Sequence, residues 1–188
     1  MKSCLLFCDY QVCYLSDGIL TGFYENPDWD ISEAPRLAHV RGGTDQGYDL
    51  PGEPGKGLTG TPEYMSNPLP ESRHSHEDIL DNAKNYDLIV LLSYRDYALR
   101  AFQWFIEKTG LSSKDLRLVV CDGEDHSQIN RHIIERTKTR LYFKREMLKE
   151  DREPGYDQHL GCEVWPLPFS AFTRSYPNDI DDQQKEYD

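Results

Sequence analysis

The sequence predicts an α/β fold: a single three-layer, Rossmann-like domain with a mostly parallel sheet and a long Gly/Pro-rich loop. Three observations carry that expectation. Short apolar runs of strand length (Ser3–Cys8, Asp87–Ser93, Leu118–Cys121) alternate with stretches of helical period such as Tyr97–Lys108. Leu88 and Leu118 lie about thirty residues apart, the length of a strand–helix–strand unit. The 188 residues are 38% hydrophobic and 12% aromatic, enough to fill one core and too apolar for a disordered chain.

Taken in order, Ser3–Cys8 is a continuous apolar run that gives way to Asp9 and Tyr10, a polar turn at the carboxyl end of a first strand. From Gln11 to Tyr24, Val12, Leu15, Ile19, Leu20 and Phe23 fall at helical spacing, weakened by Gly18 and Gly22. Pro27 and Asp28 mark a turn, and Trp29–Ile31 reads as a short second strand. Across residues 34–76 the periodicity dissolves into a Gly- and Pro-rich loop, a length that is usually functional or disordered in a compact domain. Its Tyr48, Leu50, Leu58, Tyr64 and Met65 predict packing against the rest of the chain. Ser75 and Asp78 then form an N-cap signature for a short helix with Ile79, Leu80 and Ala83 inward.

Asp87–Ser93 has the composition of a strand buried on both faces. Tyr97–Lys108 carries the stripe Ala98, Phe102, Phe105, Ile106 and ends at Gly110. Leu118–Cys121 is the next strand, followed by the turn Asp122-Gly123-Glu124-Asp125-His126 and a helix with Ile129, Ile133 and Ile134 inward. Arg140–Phe143 and Cys162–Trp165 complete the strands. The domain is therefore placed at 1–178, with residues 179–188 an acidic tail or truncated linker.

Net charge is −12, from 33 acidic and 21 basic residues, which repels a phosphate backbone and argues against nucleic acid as a partner. It does not argue against a small anion held by a few local Lys or Arg. The five cysteines form no CxxC pair and read as reduced thiols of a cytoplasmic protein. The run Cys4–Phe7 is too short for a signal peptide, and no window approaches the length of a membrane span.

The turn 122–126 places three carboxylates within four residues, at the edge of the sheet where α/β proteins bind ligands. Asp122, Glu124 and His126 are the candidate catalytic groups, one of them serving as general base. The competing reading is structural: Asp125 caps the following helix and Glu124 favours its positive end. Tyr142-Phe-Lys-Arg-Glu146 closes the next strand, so Lys144 and Arg145 either bind a ligand or pair with Asp122 or Glu124. Lys56, within Gly55-Lys-Gly57, is a further anion-binding candidate, and Asp9 and Tyr10 complete the set. The histidines lack metal-ligand spacing, no metal or cofactor is expected, and neither a Gly-rich phosphate loop nor a GxSxG elbow is present.

In this order the segments Asp9-Tyr10, Leu15–Gly22, Gly55–Thr59, Asp87–Ser93, Val120–Asp125, Tyr142–Glu146 and Pro166–Ser170 resemble the N-terminal half of bacterial GT-B-type glycosyltransferase-like proteins. Asp-Gly-Glu-Asp followed about twenty residues later by Tyr-Phe-Lys-Arg-Glu is the most specific part. The resemblance implies an acceptor-side lobe that faces a second, donor-binding lobe across a cleft. Its partners would be a sugar or glycan acceptor, a nucleotide-sugar held by that second lobe, and a protein partner or another copy of the chain. The sequence ends where the second lobe would begin, which leaves two other expectations: a non-catalytic binding or scaffold module, or a small metal-dependent hydrolase centred on the acidic turn.

Overall fold

The computed structural model describes residues 1–8, 14–35, 69, 74–93, 96–124, 126–147 and 154–167, and the fold is that of these residues. Seven strands form one sheet: β1 (Lys2–Phe7), β2 (Trp29–Ala34), β3 (Leu88–Ser93), β4 (Leu118–Asp122), β5 (Leu141–Lys144), β6 (Gly155–Asp157) and β7 (Cys162–Pro166). The helices are α1 (Tyr14–Glu25), α2 (His76–Asp81), α3 (Asp96–Thr109) and α4 (Arg131–Thr137). The order across the sheet is β2-β1-β3-β4-β5-β7-β6. Every neighbouring pair is parallel except β6 with β7. The expected α/β class with a mostly parallel sheet is what the chain forms, and it is consistent with a Rossmann-like fold.

Side-chain alternation along β1 shows why the sheet needs cover on both faces. Leu5 and Phe7 join one apolar cluster with Ile89, Leu91, Val120, Tyr142 and Val164, under Ile79 of α2, Phe102 and Phe105 of α3, and Ile133 of α4. Cys4, Leu6 and Cys8 join the other with Ile31, Val90, Leu92 and Cys121, under Leu20 of α1. Phe7 meets the rings of Phe102 and Phe105 edge-on at centroid separations of 5.6 and 5.5 Å. Because β1 runs to β2 on one side and the chain then returns to β3 on the other, the strand order reverses between β1 and β3.

α2 starts as its sequence predicts: the Ser75 hydroxyl accepts from Asp78 N–H, and the Asp78 carboxylate accepts from Ser75 N–H. α4 requires a correction. The acidic turn does not lead straight into a helix capped by Asp125; α4 begins at Arg131, and its N-cap is Asn130, whose Oδ1 accepts from Ile133 N–H at 3.2 Å. The intervening residues are held otherwise, with Asn130 N–H donating to the Tyr142 hydroxyl at 3.2 Å. Asn satisfies an orphan helix donor as well as Asp does, so Asn130 can serve as the cap.

β6 was not foreseen; its three residues carry no apolar alternation from which a strand could be read. Nearly all of the 34–76 loop and the whole 179–188 tail lie outside the described residues. Leu69, from that loop, is buried against the α1-side cluster. No described helix is long and apolar enough to cross a membrane.

Candidate functional site

The site is built from the carboxyl ends of two adjacent parallel strands. Register sets Val120 beside Tyr142 and Asp122 beside Lys144. By the two-residue period of strands, all four side chains lie on the face covered by α3 and α4. Below this edge the face is apolar; at the edge it becomes a compact polar network.

Asp122 and Lys144 are fully buried. Asp122 Oδ1 accepts from Glu124 N–H at 2.9 Å, closing the turn on itself. Asp122 Oδ2 accepts from the Tyr142 hydroxyl and lies 3.3 Å from Lys144 Nζ. Lys144 Nζ also donates to the Glu124 carbonyl at 2.9 Å, and the Tyr142 oxygen accepts from Asn130 N–H. Two buried opposite charges thus sit within a shell of hydrogen bonds, the condition under which burial of an ion pair is tolerated. Burial pushes the Tyr142 phenol well above its ordinary range, and the negative charge of Asp122 and their hydrogen bond push it the same way. The neighbouring Cys121 thiol is pushed up to about 12, by burial first and by Asp122 second.

Gly123 is favoured by proximity. A Cβ at this position would stand 2.6 Å from Leu15 Cδ2, so the turn runs directly against the buried start of α1. Beyond Gly123 the chain emerges. Glu124 Oε2 and His126 Nε2 lie 2.8 Å apart, with side chains 29% and 52% exposed. This pair can reach a ligand; Asp122 and Lys144 cannot. The Arg145 N–H donates to the Asp122 carbonyl at 2.9 Å, and its largely buried guanidinium donates through Nε to Glu146 Oε1 at 3.1 Å.

The structure therefore brings Asp122, Glu124, His126, Lys144 and Arg145 to one edge of the sheet. Asp9, Tyr10 and Lys56 lie outside the described residues. The candidate catalytic trio divides by environment. Both oxygens of Asp122 are engaged, so this carboxylate braces the turn. Glu124 and His126 form an accessible carboxylate–imidazole pair at ion-pair distance. Lys144 pairs with Asp122, the internal alternative that its position at the neighbouring strand end allowed. Sequence reasoning missed Tyr142 and Asn130. The signal for Tyr142 was its place two residues before Lys144, hence on the same face. Among the described residues no three His, Cys, Asp or Glu side chains gather as a metal centre would need. No protein-family model matches the chain, and no curated protein or solved structure is significantly similar to it.

Proposed function

We propose that the chain is the acceptor-side lobe of a glycosyltransferase-like protein, working with a second lobe or partner that holds a nucleotide-sugar. One observation carries the reading: an exposed carboxylate–imidazole pair stands on a turn clamped by a buried ionic network, at the carboxyl edge of a parallel sheet. Such a clamp fixes the geometry that proton transfer demands, since reacting groups must be held near hydrogen-bond distance.

In this reading Glu124 lies beside Nε2 of His126, and Nδ1 takes the proton of an acceptor hydroxyl. The oxygen so released attacks the anomeric carbon of the donor sugar, whose bond to the nucleoside diphosphate breaks. Glu124 stabilises the imidazolium that results. Asp122, Lys144 and Tyr142 position the turn and touch no substrate.

The test is a thermal-shift screen of the purified chain with simple glycans, polyprenyl-phosphate mimics, nucleotide-sugars and free nucleotides. A ligand at a hundredfold over its Kd adds about 2.7 kcal/mol to stability, which is readily seen. Stabilisation by an acceptor, lost in Glu124→Gln and His126→Ala, supports the proposal. Stabilisation by nucleotides alone overturns it, because the chain would then be the donor side. A second reading, a non-catalytic binding or scaffold module, is favoured by the mutual neutralisation of Asp122 and Lys144, which leaves neither charge for a ligand. A chain that none of these small molecules stabilises is that module.

A further inference from the structure

We infer that the amino-terminal edge of the sheet, opposite the acidic turn, holds a second site that takes a small molecule bearing phosphoryl groups. A cavity of about 300 Å³ opens there between the segments that lead into β4, β5 and β7. Lys114, Lys138 and Arg140 line it, with Glu135, Thr139 and Gly161. That volume is at the lower end of small-ligand pockets, which run from roughly 300 to 1,000 Å³.

Charge is the first argument. The chain as a whole carries −12, yet three cations converge on this cavity. Among the described residues, none of the three takes part in an ion pair. The opposing charges are Glu135 and the carboxyl end of α4, the latter equivalent to about −0.5. Three positive charges against about −1.5 leave a local excess of about +1.5. Capping α4 therefore does not account for all of them, and a divalent phosphoryl group would neutralise the remainder.

Backbone geometry is the second argument. Lys138 ends α4 in the left-handed region, at φ 53°. Glycine is the usual residue at such a helix end, because any side chain is strained there. Here the position carries a lysine, and that lysine faces the cavity. A strained position occupied by a lysine that lines the cavity points to a role for that side chain.

The experiment is calorimetric titration of the full chain at low salt with pyrophosphate and with ribose 5-phosphate. The cationic residues to be changed are all exposed, so the variants should fold. Lys138→Gly should raise the melting temperature by about 2 to 4 °C while weakening the anion about tenfold. Lys138→Gly/Arg140→Gln should weaken it further. Arg100→Gln/Arg131→Gln removes the same charge outside the cavity and should leave affinity within about twofold. Glu124→Gln should leave it unchanged, which separates this site from the acid–base pair at the other edge. Tighter pyrophosphate identifies an inorganic ligand and tighter ribose 5-phosphate an organic one; either supports the site. Absence of binding by both probes, or equal weakening by the two double variants, overturns it.

Discussion

Replacing Lys144 with Met tests whether the buried pair holds the acidic turn. Methionine keeps most of the side-chain volume, so the change isolates charge and hydrogen bonding. At 3.3 Å, with an effective dielectric of about 20, the attraction between Lys144 and Asp122 is about 5 kcal/mol. Desolvation of both groups offsets much of this, but loss of one partner leaves the other charge buried alone, at a cost of about 3 to 5 kcal/mol. For a chain of this size that lowers Tm by about 6 to 20 °C. Asp122→Asn should cost about as much, because its amide would present a donor to Lys144 or to the Tyr142 hydroxyl, both of which need an acceptor. The double variant removes both charges, so the two losses should fall short of additivity by about 2 to 4 kcal/mol. Urea unfolding of all four proteins at neutral pH measures the cycle. Single losses below about 1 kcal/mol that simply add would refute the argument and return Lys144 to the list of groups available for a ligand.

Gly123→Ala should cost about 1 to 3 kcal/mol, because the new methyl meets Leu15 Cδ2. Leu15→Val removes that atom, so it should cost less in the Gly123→Ala background than alone, as paired unfolding curves would show. At the other end of the sheet, Asp87 titrates below its ordinary value of 3.8, chiefly because it accepts from Ser3 N–H. A depressed folded pKa means stability that is present above the unfolded value and lost as pH falls through the folded one. The melting-temperature gap between the wild type and Asp87→Asn should thus be complete well above pH 3.8 and shrink as pH falls below it. A gap independent of pH would show that the carboxylate's charge is irrelevant to it.

What was legible in the sequence follows from how the information is distributed. β3 and α3 were readable because each carries its whole signal locally: Leu-Ile-Val-Leu-Leu can only be a buried segment, and Phe102 and Phe105 mark one helix face. β6 was not, since Gly-Tyr-Asp acquires strand geometry only by pairing with β7. The start of α4 was not readable because its cap, Asn130, is held through its N–H by Tyr142, a residue distant in sequence. The site shows the same division. An acidic turn at a strand end was visible, as was the prospect of Lys144 pairing with Asp122. The separation of a sealed brace from an exposed Glu124–His126 pair depends on which side chains lie beneath α3 and α4, and burial of that kind is not written in any one segment.

The three residues of β6 have a consequence for how this chain meets others. A sheet whose last strand leaves a long row of unsatisfied amides invites another chain to add a strand, and that is a route to aggregation. Here the last strand is short, it follows Pro154, which has no N–H to offer, and it bends at Gly155, whose φ of 133° suits glycine alone. A strand this short offers little for another chain to extend on that flank. Contact on that flank therefore falls to loops and side chains, and sheet extension is left to the opposite edge, β2.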